Sequence, residues 1–129
     1  KKDFNVENEI NIIKNKYSSI GAANVFIGFV RDYNNKRDVK FLELEVYEQM
    51  AIKELSKIQQ RAIKKFKLID SLIIHRYGKL YVNDKIVLVV CFSVNRKNSF
   101  EATKFIMDYL KKDAPFWKKE TYDFGSNWI

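Results

Sequence analysis

Apolar residues follow two different spacings along the chain, and each spacing predicts one type of secondary structure. In three segments they recur every three or four positions, which is the spacing of one helical face: residues 6–17, 51–66 and 100–114. In other segments they alternate with polar residues or form a short apolar run, as strands do: residues 22–31, 39–48, 72–77, 80–82, 85–94 and 116–121. The most apolar run, 85–94, is predicted to be a central strand.

This order of elements predicts an α+β fold, in which two main helices and a short N-terminal helix pack on a mostly antiparallel sheet. The length of 129 residues and the lack of any linker or low-complexity segment indicate a single domain, 1–129. With 47% hydrophobic residues and 19 aromatic residues, the chain has ample material for a packed core.

Two local signals are expected to set the ends of the third helix. Asn98 is followed three residues later by Glu101, which resembles a capping box with Asn98 as the N-cap. Pro115 should end the helix, because its ring disfavours helical backbone at Ala114. The aromatic and basic segment after Pro115 is then predicted to be extended.

The composition excludes several kinds of site and several cellular locations. The single Cys91 excludes an internal disulfide, and with one histidine the chain cannot form a usual structural zinc site. No apolar run approaches the ~20 residues that span a membrane, and the first residues carry no signal-peptide pattern. We therefore expect a cytoplasmic protein that binds no metal and has no contact with a membrane.

The formal net charge of +8 favours an acidic partner, such as a phosphorylated small molecule, an acidic protein surface or a nucleic acid. The lysines are spread along the chain without a clear stripe, and no RNA-binding signature is present. Lysines of this kind are also compatible with an ordinary solvated surface. A nucleic-acid-binding module therefore remains a weaker interpretation.

Few residues are candidates for chemistry. Cys91 lies in the middle of the predicted central strand, and His75 has no obvious catalytic partner, so both are expected to be structural. No glycine-rich phosphate loop is present. The remaining candidates are cations at the ends of predicted elements, where sites are usually built: Arg31, Arg96, Lys111 and Lys118.

Several segments together resemble the large, catalytic subunit of molybdopterin synthase. They are Gly28-Phe-Val-Arg31, Leu42 to Tyr47, Ile74-His-Arg-Tyr-Gly78, Phe100-Glu-Ala102, Phe105 to Leu110 and Ala114-Pro-Phe-Trp-Lys-Lys-Glu120. The resemblance runs from about Gly21 to the end of the chain, and its last two segments are specific to that family.

The resemblance implies a fold of the α/β-hammerhead type and a sulfurtransferase activity that needs no cofactor. Such enzymes convert a cyclic pyranopterin phosphate into the dithiolene of molybdopterin. The sulfur comes from a thiocarboxylate on the C-terminal Gly-Gly tail of a small ubiquitin-like subunit, which inserts into the large subunit. Two large subunits form a central dimer with a small subunit at each end, which makes a heterotetramer.

The resemblance also assigns roles to residues of this chain. Lys111 and Lys118 match the active-site lysines, of which Lys111 is expected to do the chemistry and Lys118 to orient the thiocarboxylate. Arg31 matches an anion-binding arginine, and Arg96 matches an arginine that the neighbouring protomer contributes. The other residues expected at the substrate are Phe29, Val30, Asn95, Lys119 and Glu120.

One position departs from the family pattern, because Asn95 stands where the family usually has histidine. Asparagine forms hydrogen bonds but does not titrate near neutral pH. If the histidine only binds phosphate, Asn95 can substitute for it. If the histidine is an essential acid or base, the chain would be slow or would use another group. Asn95 also leaves open a non-catalytic protein that only binds the small subunit.

Overall fold

The computed structural model describes the backbone of residues 3–31, 33–34, 37–46, 48–112, 116–122 and 125–128, and the side chains of residues 3–31 and 49–112. Within these residues there are three helices and eight strands. In chain order they are α1 (Val6–Lys14), β1 (Ala22–Phe29), β2 (Tyr33–Asn34), β3 (Arg37–Val46), α2 (Glu48–Phe66), β4 (Asp70–His75), β5 (Gly78–Tyr81), β6 (Lys85–Ser93), α3 (Arg96–Lys112), β7 (Phe116–Tyr122) and β8 (Gly125–Trp128).

The first sheet has three antiparallel strands in the order β1-β6-β4, with the apolar strand β6 in the centre. In its register, Val90 lies between Val25 of β1 and Leu72 of β4. Residues 87–93 of β6 are buried, as expected for a central strand that is covered on both faces.

Helices cover both faces of this sheet. On one face, α1 places Ile13 over the even-numbered residues of β6, namely Leu88, Val90 and Phe92. On the other face, α2 and α3 cover the odd-numbered residues, and the buried cluster comprises Ile58, Ala62, Leu68, Val87, Val89, Cys91, Ala102 and Ile106. The alternation of side chains along β6 therefore divides the core into two halves.

The second sheet is built around β3, which pairs antiparallel with β5 on one side and with β7 on the other. Strand β8 continues the sheet beyond β7, and β2 pairs with the start of β3. The two sheets meet where Leu80 of β5 packs with Val30, which follows β1, and both residues are buried. This contact joins the second sheet to one end of the first.

The structure confirms the predicted α+β fold and the predicted types of the main elements, with ends shifted by a few residues. The antiparallel strands form two sheets where the sequence predicted one. The predicted N-cap at Asn98 is wrong, because α3 begins at Arg96, about one turn earlier. The N-cap is Asn95, whose side chain accepts a hydrogen bond from the Asn98 N–H. Pro115 lies outside the described residues. None of the described helices combines the length and the apolar character needed to cross a membrane.

Candidate active site

Arg31 lies just past β1, at the point where the two sheets meet. The backbone of the preceding residue holds it there: Val30 N donates to Asp84 O at 3.0 Å, and Asn83 N donates to Val30 O at 2.9 Å. The Val30 side chain is only 4% exposed, whereas Phe29 is 52% exposed and Arg31 is exposed. The buried, hydrogen-bonded Val30 therefore fixes the backbone from which the exposed Arg31 side chain extends.

The turn that holds Val30 is itself closed by hydrogen bonds. Asp84 N donates to Tyr81 O at 2.9 Å, and Tyr81 N donates to the Asp84 carboxylate at 2.8 Å. Asn83 has φ +73°, a left-handed conformation that asparagine tolerates better than most residues. The support beneath Arg31 thus depends mainly on backbone hydrogen bonds.

Lys111 reaches the same end of the sheet by way of α3. The helix starts just after β6 and runs back over it, and the Thr103 hydroxyl contacts the Cys91 thiol. Lys111 lies eight residues further on, or about 12 Å along the helix axis. The same distance along β6 leads from Cys91 to about Val87, which pairs with Gly28. Leu110, the neighbour of Lys111, packs against the buried cluster that includes Val87, so Lys111 lies toward the strand end that carries Arg31.

Among the described side chains, the charges of Lys104, Asp108 and Lys112 lie on the same helix as Lys111. Lys104 Nζ donates to the Asp108 carboxylate at 3.0 Å, and this bond is the main reason why the pKa of Asp108 lies below its usual value. Lys112 and Lys111 lower the same pKa through their charge. Asp108, one turn before Lys111, is therefore a carboxylate within electrostatic reach of the exposed Lys111 amine.

Asn95 and Arg96 lie between β6 and α3. Asn95 precedes the helix, and its side-chain oxygen accepts a hydrogen bond from Asn98 N at 3.0 Å, which is the bond of a helix N-cap. Arg96 is the first residue of α3, and both side chains are exposed.

These two residues are far from Arg31. Since β1 and β6 are antiparallel, Phe29 pairs with Lys85 at one end and Ala22 pairs with Ser93 at the other. The eight residues of β1 separate the two ends by roughly 25 Å. One chain thus brings Phe29, Val30, Arg31 and Lys111 to one end of the sheet, and places Asn95 and Arg96 at the opposite end.

The other candidate residues, Lys118, Lys119 and Glu120, lie on β7, and their side chains are outside the described residues. Their backbone pairs with Leu44, Glu43 and Leu42 of β3, in that order. On its other side, Leu42 pairs with Leu80, whose side chain packs with Val30. Strand β7 therefore belongs to the sheet that joins the Arg31 end.

The two other candidates for chemistry, Cys91 and His75, are less exposed than Arg31 and Lys111. Cys91 is fully buried, and burial raises the pKa of its thiol, although a hydrogen bond with Thr103 acts in the opposite direction. His75 is half-buried, with Nδ1 2.9 Å from Arg76 O. Among the described residues, no group of three or more His, Cys, Asp or Glu side chains lies close enough to hold a metal ion.

Sequence reasoning missed the residues that support the cations. Gly21 N donates to Ser93 O at 3.0 Å, and a Cβ on Gly21 would lie 2.1 Å from Val94 O. The sequence signal was an isolated glycine before a strand, and glycine is common in turns of every kind. Sequence reasoning also missed the N-cap at Asn95, because only Asn98 is followed three residues later by a glutamate, as in a capping box.

Comparisons with known proteins found relatives of this chain. The family model of the MoaE protein matches residues 1–113. The molybdopterin synthase catalytic subunit of Ralstonia nicotianae is 46% identical over 127 residues, which are 98% of this chain and 72% of that protein. The crystal structure of molybdopterin synthase from Staphylococcus aureus is 31% identical with a TM-score of 0.91, and the match covers 99% of this chain and 92% of that one.

A more distant structure is the complex of subunits 1 and 2 of the molybdopterin-converting factor from Helicobacter pylori. It matches with a TM-score of 0.80 at 22% identity, over 98% of this chain and 85% of that one, so the likeness concerns the fold. The match to residues 1–113 and the 46% identity over nearly the whole chain show the family. The chain belongs to the MoaE family, that of the catalytic subunit of molybdopterin synthase.

Proposed function

We propose that the chain is a sulfurtransferase that makes the dithiolene of molybdopterin from a cyclic pyranopterin phosphate. The sulfur donor is the C-terminal thiocarboxylate of a small subunit with a Gly-Gly tail. The family supports this proposal, and the Helicobacter pylori structure is a complex of two subunits. The single observation that carries it is that α3 returns Lys111 to the strand end that presents Arg31.

The proposed transfer balances without a redox partner. The thiocarboxylate sulfur forms a carbon–sulfur bond to the precursor, and an oxygen substituent of the precursor leaves. Water then cleaves the acyl carbon–sulfur bond of the tail, which becomes an ordinary carboxylate. The dithiolene needs two such transfers and therefore consumes two thiocarboxylate tails. The sulfur comes from the small subunit, so we expect no cofactor and no metal ion.

Cations of this chain would hold the anionic groups. Arg31 suits the phosphate, since a guanidinium group forms paired, charge-assisted hydrogen bonds with it. None of the ion pairs between described side chains involves Arg31, Arg96 or Lys111. We assign the chemical step to Lys111 and the orientation of the thiocarboxylate to Lys118. Phe29, Val30, Lys119 and Glu120 would line the same substrate pocket.

We further propose that Arg96 serves the active site of a second copy of the chain. The roughly 25 Å between the two ends of β1 keeps Arg96 away from Arg31 of its own protomer. A dimer that places these opposite ends side by side would complete two sites. With one small subunit on each protomer, the assembly would be a heterotetramer of single-domain chains, 1–129, and we expect it in the cytoplasm.

The test is dithiolene formation from the purified chain, the thiocarboxylated small subunit and the pyranopterin precursor. We expect product from the native chain and a loss of at least about a hundredfold in Lys111→Ala, the usual scale for a group that assists a proton transfer or attack. Lys112→Ala is the matched control, because it removes the next exposed lysine of the same helix. Full activity in Lys111→Ala would refute the assignment.

A second candidate function follows from Asn95. If the chain binds the small subunit without forming product, and Asn95→His restores product, the chain is a non-catalytic or impaired member of the family. If it neither forms product nor binds the small subunit, salt-dependent RNA binding should be measured next, because the charge of +8 favours anionic partners.

A further inference from the structure

The Asn95 side chain already has a structural partner. Its Oδ1 atom accepts a hydrogen bond from Asn98 N at 3.0 Å. The first N–H groups of a helix have no partner within the helix, and an asparagine at the N-cap satisfies one of them. The side-chain oxygen of Asn95 is therefore engaged in holding the start of α3.

Three further contacts fix the same turn. The Ser93 hydroxyl donates to Asn95 O, and Ser93 O in turn accepts a bond from Gly21 N at 3.0 Å. The Ser99 hydroxyl donates to Arg96 O at 2.9 Å. Both serines are buried, so these bonds tie the turn to the core.

These contacts hold the backbone from which the Arg96 side chain extends. Arg96 is the first residue of α3, and its guanidinium group is exposed. A long side chain can present its charge reliably only if its backbone is fixed, and here the N-cap fixes the backbone from the preceding residue. Loss of the N-cap would let the first turn of α3 fray and spread Arg96 over several positions.

We infer that Asn95 is a positioning residue that acts through Arg96, rather than a residue that binds substrate or transfers protons. The inference rests on the proposed function, in which Arg96 holds an anionic group of the substrate. It also gives a physical reason why asparagine can stand at this position. Asn is among the preferred N-cap residues, so it performs the structural task without a titrating group.

Three substitutions separate positioning from direct contact. Asn95→Ser removes the amide but retains a good N-cap, Asn95→Gln retains the amide but is a poor N-cap, and Asn95→Ala removes both. We expect the KM for the pterin to be about fivefold lower in the Ser variant than in the Gln and Ala variants. This ratio corresponds to the usual contribution of an N-cap to stability, about 1 kcal/mol. The change in kcat should be smaller. A KM lower in Gln than in Ser would overturn the inference, because it would show that the amide itself is needed.

The dependence on Arg96 is tested by repeating the comparison in an Arg96→Ala background. If Asn95 acts through Arg96, the difference in KM between Ser and Gln should disappear there, since coupled residues are not additive. A difference of the same size in both backgrounds would show that Asn95 acts independently, and would refute the positioning role.

Amide hydrogen exchange at Asn98 distinguishes failure of this inference from failure of the proposed function. The Asn98 N–H should be protected in the native chain and in Asn95→Ser, and should exchange faster in the Gln and Ala variants. Equal exchange in all four proteins would contradict the N-cap itself. If the native complex forms no dithiolene, the proposed function is wrong, and the positioning of Arg96 for that reaction is then refuted with it.

Discussion

The two ends of the first sheet both present an arginine, but they are built in different ways. At the Arg31 end, the strand is held by backbone hydrogen bonds between Val30 and the turn at Asn83 and Asp84. At the Arg96 end, support comes from particular side chains and from a glycine. Backbone hydrogen bonds do not depend on side-chain identity, so the first end should be robust except at Asn83 and Asp84, and the second end should be sensitive to sequence.

The difference also bears on the catalytic assembly. Lys111 and the sheet that carries Lys118 lie with Arg31, whereas Arg96 is roughly 25 Å away at the opposite end of β1. The robust end thus carries most of the proposed site, and the sensitive end carries Arg96, which is proposed to serve the site of a second protomer. The prediction with the largest expected effect tests whether Arg31 and Arg96 act in different protomers.

A mixed dimer should recover activity that both of its parents lack. Arg31→Ala and Arg96→Ala are each expected to lose at least about tenfold, because each removes a charged partner of an anionic substrate. A hybrid dimer with one chain of each type would contain one site with both changes and one intact site. Hybrids isolated through two different affinity tags should therefore show about half of the native rate per dimer.

The control for this experiment is a hybrid between a native chain and an Arg31→Ala, Arg96→Ala double variant. Each of its two sites lacks one arginine, so its activity should stay near that of the single variants. Recovery in this control, or no recovery in the first hybrid, would mean that both arginines act within one chain.

The second prediction tests the sensitive end by Gly21→Ala. The added Cβ would lie 2.1 Å from Val94 O, a backbone atom that can move only with the turn before α3. We expect the free energy of unfolding to fall by about 3 kcal/mol, at the upper end of the usual cost of overpacking. Urea denaturation with a constant m-value measures this fall.

Gly28→Ala is the matched change near the other end of the same strand. Its Cβ would approach Val87 Cγ1 at 2.9 Å, and this side chain can give way more easily than a backbone carbonyl. The loss should therefore be clearly smaller than for Gly21→Ala. Equal losses would show that the two ends do not differ in the way we describe.

Much of the fold could be predicted because it follows from periodicity. The apolar run of β6 and the helical spacing around Ile106 are local signals, and the structure confirms both elements. The division into two sheets could not be predicted, since it depends on β3 pairing with β5 and β7, which are distant in sequence. Alternating residues reveal a strand but do not reveal its partners.

The site could be predicted from the sequence less fully than the fold. The resemblance pointed to Arg31 and Lys111, but the sequence did not show that Arg96 lies at the opposite end of β1 from Arg31. That follows from the antiparallel register of β1 and β6. The N-cap at Asn95 was missed because Asn98 and Glu101 offered a stronger local pattern, whereas tertiary contacts at Gly21 and Ser93 fix the actual start of α3.

The smallest prediction concerns Asp3, which ties the N-terminal segment to the robust end. Its carboxylate accepts a hydrogen bond from Phe4 N at 2.8 Å and lies 3.4 Å from Lys85 Nζ and 3.7 Å from an Arg76 nitrogen. The bond from Phe4 N, followed by Lys85 and Arg76, holds the pKa of Asp3 below its usual value. Because the side chain is 64% exposed, Asp3→Asn should lower Tm by only about 1–2 °C at pH 7.

The sign of the pH dependence makes this small effect testable. A carboxylate whose pKa is lower in the folded state stabilises that state above its unfolded pKa of about 3.9, and the stabilisation is lost as pH falls through the folded value. The gap in Tm between the native chain and Asp3→Asn should therefore be constant from pH 7 to about pH 5 and close below about pH 4. It should also shrink in 1 M salt, which screens exposed charges. A gap that stays as large at pH 3 as at pH 7 would show that Asp3 acts through its shape and not through its charge, and that Lys85 and Arg76 do not anchor the segment electrostatically.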